Sequence, residues 1–459
     1  MDDASPLPSS VKTDLEERTR GELLIPDQAR YKEARNVWNA KIDKKPAAIV
    51  RCTGPADVMA SVDTAREHGL PLAVKSGGHG VAGHAICDDG LVIDCSPMNA
   101  VRKDPDRQVV WVQGGATWGD VNHELHTLGL DTVGIADPGV GVAGYTLGGG
   151  MGVLSRKHGL AIDNVRSMEV VTADGTLVTA SEERNPDLFW ALRGGGGNFG
   201  VVSGMEFDCY SIIPEILQAV FLYPVEAAGN VIRRYRDFTR EVPTEYYGGI
   251  GILQVPPLPE YPETLHGETV VIILMRYLGD EEAGSRLIES FRDVGDPLHE
   301  MVLSIQTDEM GDDPLVKPGM RNHWVNQYLT DLSEGAIDTF VEHAVPLPSP
   351  DSSAALLTLG GAINRVGRTS TAYPHREATH LFEVATQWND PANDEEYVSW
   401  AREFRDAMAE YGTGGEYLNN QTDDDPERVK AAFGENYDQL IEIKREWDPE
   451  NIFGRHFEV

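Results

Sequence analysis

The chain has 459 residues, of which 41% are hydrophobic and 25% are charged. This length predicts two or three domains, each large enough to bury a core. The sequence contains no run of about 18 apolar residues, which excludes a membrane-spanning helix. Its N-terminus has neither the basic start nor the apolar stretch of a secretory signal peptide, so we expect no secretion by that route.

Acidic residues dominate the charge, because 74 Asp and Glu oppose 39 Lys and Arg and give a formal net charge of −35. Such a surface repels nucleic acid and anionic membranes, so neither is expected as a partner. Most basic residues are arginine. A surface rich in carboxylates and poor in lysine suits a cytoplasm of high salt, where screening removes the self-repulsion. We interpret the chain as a halophile's cytoplasmic protein; the alternative is an acidic protein of an ordinary cytoplasm.

Cysteine and histidine patterns argue against a metal site or disulfides. The four cysteines, Cys52, Cys87, Cys95 and Cys209, form no CxxC pair and have no histidine nearby at ligand spacing. We therefore expect free, mostly buried thiols, as in a reducing cytoplasm. No cluster of carboxylates and histidines in the sequence has the spacing of metal ligands, so no metal cofactor is expected.

The first part of the chain alternates short strands with helices. Residues 47–52 form an apolar run typical of a strand, a helical pattern opens at Pro55 and ends near Gly69, and a strand follows at residues 70–74. This β-α-β unit leads into a glycine loop. Further strands are predicted at residues 90–94, 109–113, 167–172, 177–179 and 200–207, and further helices at residues 117–128 and 187–192.

The sequence changes character at about Tyr210, where glycine becomes rarer and proline-rich loops appear. Alternating residues such as 269–275 predict an open sheet with one side facing a substrate. From Gly414 the sequence predicts a short strand and two helices, at residues 426–433 and 437–445. A second domain therefore begins near residue 211, and a third segment follows it.

Three glycine-dense stretches are candidates for ligand binding. The first, residues 75–84, lies between two strands and fails the Rossmann pattern, in which G-x-G-x-x-G opens a helix. Its glycines can still bring backbone N–H groups together on a phosphate, although a histidine there, His79, is most often a hydrogen-bonding turn residue. The second stretch, residues 139–152, and the third, residues 194–200, favour close approach to a large flat or phosphorylated ligand; tight turns are the alternative.

Five motifs in order carry a resemblance to a known family. They are KSGGHG at residues 75–80, PGVGVAGYTLGGGMGVLSRKHGLAIDNV at 138–165, DLFWALRGGGGNFGVVS at 187–203, TAYPHR at 371–376 and YDQLIEIKREWDPENIF at 437–453. Together they resemble the FAD-linked oxidases of the berberine bridge enzyme and 6-hydroxy-D-nicotine oxidase type. Several ordered motifs over this length are far more specific than any single glycine run.

The resemblance implies an α+β chain with the fold of vanillyl-alcohol oxidase. Residues 1–210 and 414–459 would form a two-part FAD-binding domain, and residues 211–413 an antiparallel-sheet substrate domain with covering helices. It implies FAD bound covalently through its 8α-methyl carbon to His79, with the amides of Ser76 to Val81 on the pyrophosphate. The positions assigned in this way to FAD are Ser76, Gly77, Gly78, His79, Gly80, Val81, His84, Asp137, Pro138, Gly139, Val140, Gly141, Gly144, Tyr145, Gly148, Gly149, Gly152, Gly200 and Val201.

Two of these positions bear on the chemistry of the flavin. Many relatives have a cysteine that bonds the flavin C6 where this chain has Asp137. A carboxylate cannot form that thioether, so a single covalent link is predicted. Val140 aligns beside the flavin C4a, where relatives that react rapidly with oxygen tend to have a small residue and dehydrogenases Leu. Valine therefore favours an oxidase, and a plain strand valine is the alternative.

The substrate proton needs a base, which the relatives take from carboxylate or tyrosine side chains. Tyr417 matches the family's Tyr-x-Asn strand on the substrate side of the flavin, and its ordinary pKa near 10 would have to fall. Glu383 shares one face of a predicted strand with Ala385 and Gln387; a solvated surface residue is the alternative. Asn364 and Arg365 are weaker pocket candidates, and His375 and Arg376 are expected to organise their loop.

The resemblance thus implies an FAD-linked oxidase acting on a CH–OH or CH–NH carbon of a sugar, alcohol or amine. The hydride goes to flavin N5, and molecular oxygen reoxidises the flavin to give hydrogen peroxide, while the protein orients the substrate and takes its proton. The alternatives are a dehydrogenase of the same fold with another acceptor, a flavin-binding protein without redox turnover, and a nicotinamide-dependent Rossmann enzyme, whose strand-loop-helix is missing. Fold similarity leaves the substrate open.

Overall fold

The first lobe opens with a small sheet. The computed structural model describes residues 7–292, 295–310, 317–423 and 425–454, so the outermost residues of the predicted terminal segments, 1–6 and 455–459, lie outside it. The first elements are α1 (Ser9–Arg18), β1 (Glu22–Leu24), α2 (Tyr31–Ala34), β2 (Ala48–Arg51), α3 (Pro55–His68), β3 (Leu72–Lys75) and β4 (Leu91–Asp94). The strand order is β1-β2-β4-β3, with β2 and β3 parallel to β4. Helix α3 begins with proline at its first turn and ends at Gly69, whose φ of 62° only glycine adopts readily.

A second sheet completes the first lobe. Its elements are β5 (Val101–Lys103), β6 (Val109–Gln113), α4 (Trp118–His126), β7 (Leu130–Asp131), α5 (Val142–Leu147), α6 (Ser155–His158), β8 (Val165–Val171), β9 (Leu177–Ser181), α7 (Pro186–Leu192), β10 (Val201–Asp208) and β11 (Tyr210–Ser211). Strands β5-β6-β10-β8-β9 form an antiparallel sheet, and β7 pairs with β11. Thr117 and Asp120 cap α4 reciprocally, which explains why this helix begins where the sequence predicted it.

The second lobe is built on a seven-stranded antiparallel sheet. Its elements are β12 (Glu215–Pro224), α8 (Ala228–Thr239), β13 (Tyr246–Gln254), β14 (Thr269–Tyr277), α9 (Glu281–Phe291), β15 (His299–Gln306), β16 (Arg321–Leu329), α10 (Glu334–Ala344), β17 (Ser353–Thr358), β18 (His380–Trp388) and α11 (Asp394–Met408). The order is β15-β12-β14-β13-β17-β18-β16. The predicted α+β class and antiparallel sheet with covering helices are confirmed.

The two faces of this sheet have different surroundings. One face packs under α8 to α11, where Phe291, Phe340 and Phe404 form part of a large apolar cluster. The opposite face, which we call the open face, turns toward the first lobe. On it Leu357 packs against an apolar cluster that holds Tyr417 and that Met151 of the first lobe also contacts. Because strand residues alternate between faces, every second residue of β13, β14, β16, β17 and β18 lies on the open face.

The end of the chain returns to the first lobe. Helices α12 (Pro426–Phe433) and α13 (Tyr437–Trp447) follow the second lobe, and Leu440 of α13 belongs to the same core as Phe189 of α7. The buried Lys444 donates hydrogen bonds from Nζ to the Asn198 carbonyl (2.8 Å) and to Asp448 (2.6 Å). The last helix is therefore tied to the third glycine stretch. None of the helices within the described ranges is both long and apolar enough to cross a bilayer.

One local prediction was wrong. The strand predicted from Gly414 is replaced by an irregular segment with a short 3-10 turn at Leu418–Asn420. The Asn326 side chain donates to the Tyr417 carbonyl (3.0 Å) and accepts from the Tyr417 N–H (2.6 Å), so these backbone groups need no strand partner. The second glycine stretch contains a short helix, α5, in its middle.

Candidate active site

The first two glycine stretches meet backbone to backbone. A Cβ added to Gly77 would lie 2.8 Å from the Gly139 carbonyl oxygen and closer still to the Gly141 nitrogen, so side chains at this junction are excluded by space. Beside it, the Ser76 hydroxyl is buried and has no hydrogen-bond partner among the described residues. A buried hydroxyl at a junction of bare backbone indicates that a polar group of a ligand belongs there.

His79 lies at this junction and is held on three sides. Its Nδ1 lies 3.8 Å from Oδ2 of Asp137, whose Oδ1 accepts a hydrogen bond from the Gly139 N–H (2.8 Å). The indole of Trp38 stacks on the imidazole with 5.8 Å between ring centroids and 23° between planes. A Cβ on Gly139 would lie 2.8 Å from His79 Nε2. The structure thus brings together His79, Asp137 and Gly139, three of the predicted positions.

Asn39 joins the His79 loop to the second lobe. Its Nδ2 donates to the Val81 carbonyl (2.7 Å) and to the Asn322 carbonyl (3.1 Å), and its Oδ1 accepts from the Asn322 N–H (2.9 Å). Next to it, the ring of Trp324 stands edge-on to the ring of Trp38, with 5.6 Å between the ring centroids. The predicted position Val81 is thereby fixed against β16. The sequence analysis missed these residues, because Trp38 and Asn39 stand in a polar stretch without a recognisable pattern.

Tyr417 is buried where the second glycine stretch meets the open face. Its hydroxyl oxygen accepts hydrogen bonds from the Met151 N–H (3.1 Å) and from Asn419 Nδ2 (3.0 Å). Burial raises the pKa of Tyr417 to about 12, these hydrogen bonds oppose the rise, and the charge of Glu383 adds to it. A role as the base would require this pKa to fall. The protein environment moves it in the opposite direction, so Tyr417 is a neutral hydroxyl near neutral pH.

Glu383 lies on the open face, partly exposed and close enough for its charge to affect Tyr417. In the register of the sheet it stands between Asn326 of β16 and Ala355 of β17. Asn420 donates a hydrogen bond from Nδ2 to its Oε2. The two predicted base candidates therefore converge on one place, and Asn326, Asn419 and Asn420 hold the segment between them.

Small and apolar residues extend across the open face from Glu383 toward β14. The row across the sheet continues from Glu383 through Ala355 to Gly251 and Ile272. The next row places Leu357 beside Gly249 and Leu274. The two residues that follow Glu383 in its row, Ala355 and Gly251, are therefore small, so a substrate above this part of the sheet would meet little side-chain bulk from them.

The remaining predicted flavin positions form three groups. Gly78 and Gly80 continue the His79 loop, and His84 follows further along the connection from β3 to β4. Pro138, Val140, Gly144, Tyr145, Gly148, Gly149 and Gly152 belong to the second stretch and its helix α5, where an added Cβ on Gly149 would lie 3.2 Å from Tyr373. Gly200 and Val201 lie instead beside β8, with the Val201 side chain in the core between the two sheets.

Of the other candidates, Asn364 and Arg365 are exposed, whereas His375 and Arg376 pack inside the protein. Arg376 is buried and forms a two-pronged ion pair with Asp163, at 2.7 and 2.8 Å. His375 donates a hydrogen bond from Nε2 to the Ala432 carbonyl oxygen (2.6 Å), and burial lowers its pKa to about 4. Asn364 donates to the Ala378 carbonyl (3.3 Å). Across the described ranges, no group of three His, Cys, Asp or Glu residues could hold a metal ion.

Comparison with known families and structures covers both lobes. Residues 46–181 match the FAD binding domain family, and residues 416–457 match the berberine and berberine-like family. The chain is 29% identical to (R)-6-hydroxynicotine oxidase of Paenarthrobacter nicotinovorans, over 96% of each protein. The crystal structure of 6-hydroxy-D-nicotine oxidase from Arthrobacter nicotinovorans superposes with a TM-score of 0.85 at 28% identity, covering 96% of this chain and 98% of that one.

A third comparison concerns the flavin linkage. Glucooligosaccharide oxidase from Acremonium strictum, described as carrying a 6-S-cysteinyl, 8α-N1-histidyl FAD, superposes with a TM-score of 0.87 over 98% of this chain and 99% of that one. At 23% identity this likeness shows the fold alone. The first matched family segment contains His79 and Asp137, and the second contains Tyr417.

Proposed function

Because the chain belongs to the FAD-linked oxidases of the berberine bridge enzyme type, we propose that it oxidises a CH–OH or CH–NH carbon of a small molecule. The observation that carries this proposal is that the second glycine stretch contacts both groups, His79 at Gly139 and Tyr417 at Met151, and that Glu383 lies near Tyr417. In the proposal, FAD supplies the redox step, and molecular oxygen takes up the electrons to give hydrogen peroxide. Val140 beside the flavin supports the oxidase over a dehydrogenase.

The residues at the junction fit FAD. Bare backbone at Gly77, Gly139 and Gly141 allows a close approach that side chains would prevent. The buried hydroxyls of Ser76 and Tyr145 have no hydrogen-bond partner in the described part of the chain and would gain one from the cofactor. Ser76 to Val81 would hold the pyrophosphate, the second glycine stretch the isoalloxazine, and Gly200 with Val201 the adenine side.

A substitution at the loop junction tests this assignment. Gly77→Ala is expected to abolish tight FAD binding, because its Cβ meets backbone atoms of Gly139 and Gly141 that have no side-chain freedom to move away. The measurement is the FAD content of the purified variant, with circular dichroism to confirm that it folds. Gly229→Ala in α8 is the matched control, since its Cβ would meet only the flexible end of Arg233. Full FAD content in Gly77→Ala would contradict the assignment.

We propose a single covalent bond to the flavin, through His79. No thiol is available for a second bond, because all four cysteines are free and buried, and Asp137 stands where relatives have cysteine. In His79→Ala, FAD is expected to be released completely on denaturation, whereas the native chain and the exposed control His123→Ala keep it. Intact-protein mass spectrometry after denaturation in acid is the measurement. A native mass without FAD would refute the covalent link.

Glu383 and Tyr417 have different roles in the proposed proton transfer. We assign the proton acceptor to Glu383, whose carboxylate lies on the open face. Tyr417 already accepts two hydrogen bonds and keeps its proton because burial raises its pKa to about 12. Its O–H can therefore donate to the substrate heteroatom and orient it. This pairing fits the removal of a proton from an alcohol or ammonium group as the hydride leaves the adjacent carbon.

The open face favours a substrate with an apolar body. Ala355 lies directly beside Glu383, and the two rows that run away from it across the sheet, through Gly251 and Ile272 and through Leu357 and Leu274, offer mainly van der Waals contact. A sugar carries a hydroxyl on almost every carbon and loses free energy for each one that is buried without a partner. An amine or an alcohol whose reacting carbon adjoins an apolar ring or chain is better matched.

A comparison of substrates tests this preference. Under anaerobic conditions, a secondary aryl-alkyl amine or a benzylic alcohol is expected to reduce the bound flavin at least about tenfold faster than a reducing disaccharide. The measurement is the bleaching of the flavin absorbance by stopped flow in molar salt. Faster reduction by the disaccharide would overturn the preference. Reoxidation in air over many minutes, without peroxide, would favour the dehydrogenase.

We also propose the high-salt cytoplasm of a halophile as the working environment. The net charge of −35 and the predominance of arginine among the basic residues support this proposal. The four free, buried thiols agree with a reducing compartment. A midpoint of thermal unfolding that rises steadily with added potassium chloride up to molar concentrations would support it, and a midpoint insensitive to salt would contradict it.

A further inference from the structure

We propose that Asp137 is a positioning residue that prepares His79 for its covalent bond to FAD. The inference rests on the proposed function, since it concerns the flavin that this function requires. It assigns a positive role to a carboxylate that the sequence comparison marked only as the absence of a cysteine.

The Asp137 carboxylate is itself fixed in place. One oxygen, Oδ1, accepts a hydrogen bond from the Gly139 N–H (2.8 Å), which leaves the other oxygen directed to the imidazole. Oδ2 lies 3.8 Å from His79 Nδ1, a separation that a small rotation of either ring or carboxylate closes to a hydrogen bond. The backbone turn therefore aims the carboxylate, because Asp137, Pro138 and Gly139 are consecutive.

The imidazole has little freedom to turn away from this carboxylate. The indole of Trp38 stacks on one face of the imidazole, with 5.8 Å between ring centroids, and Trp324 packs edge-on against Trp38. On the other side the ring meets Gly139, where a Cβ would come within 2.8 Å of Nε2. A carboxylate beside a histidine selects which ring nitrogen carries the proton and makes the other a better electron-pair donor.

The attachment reaction needs both a defined position of the imidazole proton and a ring nitrogen that donates its electron pair. A bond forms between a His79 nitrogen and the flavin 8α carbon, and one C–H bond of the methyl group breaks. The hydrogen leaves as a proton to water, and the electron pair of that C–H bond reduces the isoalloxazine. The imidazole N–H proton, which becomes acidic as the nitrogen–carbon bond forms, passes to Asp137. Molecular oxygen then takes the two electrons and two protons as hydrogen peroxide and restores the oxidised flavin.

Asp137→Asn is the central test, because asparagine keeps the size and the hydrogen bond from Gly139 but cannot take a proton. The variants are made as FAD-free chains, FAD is added, and the fraction with covalent FAD is followed by intact mass after denaturation. Asp137→Asn is expected to bind FAD yet to form the covalent bond about 10²-fold more slowly or not at all. Asp137→Glu is expected to recover part of the rate, and Asp106→Asn, an exposed aspartate elsewhere in the first lobe, the full rate.

The outcomes separate this inference from the proposed function. Covalent attachment at the native rate in Asp137→Asn would overturn the role of Asp137, while the native chain would still carry its covalent FAD. Failure of Asp137→Asn to bind any FAD would also overturn it, because the carboxylate would then be a structural part of the binding site. A native chain that binds no FAD would instead refute the proposed function.

Discussion

Glu383→Gln is expected to slow the reduction of bound FAD by substrate by about 10²–10⁴-fold, because glutamine cannot accept the proton that the substrate loses. Glutamine has nearly the same shape and can still accept the hydrogen bond from Asn420, so FAD content and stability should not change. The measurement is the anaerobic rate of flavin bleaching at saturating substrate. Glu403→Gln, on the exposed side of α11, is the matched control.

A second variant decides whether the carboxylate of Glu383 or the hydroxyl of Tyr417 accepts the proton of the substrate. Tyr417→Phe removes a donor to the substrate and leaves the Met151 N–H and Asn419 Nδ2 without their acceptor. It should slow reduction less than Glu383→Gln does, because a hydroxyl with a pKa of about 12 is a poor proton acceptor near neutral pH. A larger loss in Tyr417→Phe than in Glu383→Gln would reverse the two roles and make the tyrosine the base.

The glycine stretches could be predicted from the sequence because their requirement is local. Gly77 and Gly141 are needed where two backbones touch, and a run of glycines in the sequence already indicates such contact. His79 became a candidate only through the family resemblance, since a histidine in a glycine turn has ordinary structural uses. The structure adds what neither source contained, namely that Asp137 and Trp38 fix the orientation of the ring.

The supporting residues could not be predicted, because they act across long separations in sequence. Asn39 and Asn322 exchange hydrogen bonds although they are 283 positions apart in the sequence. Asn326 binds the backbone of Tyr417 and so removes the strand that a pattern of local propensities predicted there. A partial signal existed in β16. Asn322, Trp324, Asn326 and Tyr328 occupy every second position, so asparagine and aromatic side chains alternate on one face of this strand.

The direction of the Tyr417 pKa is a further property that sequence could not supply. A tyrosine in a family motif is compatible with a raised or a lowered pKa, and burial decides between them. Tyr417 is 4% exposed and lies near the Glu383 carboxylate, and both facts disfavour the phenolate. Glu383, which lies on the open face, is therefore the proposed proton acceptor. The neighbouring Tyr417 keeps its proton and can serve as a hydrogen-bond donor.

The largest effect on stability is expected from Asp163→Asn, which leaves the charge of a buried arginine without its partner. The Arg376 guanidinium is 1% exposed, donates to both carboxylate oxygens of Asp163, and lies 4.9 Å from the centre of the Tyr373 ring. Removing one partner of a buried ion pair costs about 3–5 kcal/mol of the free energy of unfolding. The measurement is the urea midpoint of the FAD-loaded protein.

Two further variants show whether the unpaired charge is the cause. Asp338→Asn removes a partner of Arg233 on the exposed surface of α10 and should change the midpoint far less, since water solvates both groups. The double variant Asp163→Asn with Arg376→Met removes the buried charge altogether and should recover much of the lost stability. If the double variant is no more stable than Asp163→Asn alone, the loss comes from the shape of the Asp163 site, including its hydrogen bond from the Leu160 N–H, and not from the isolated guanidinium.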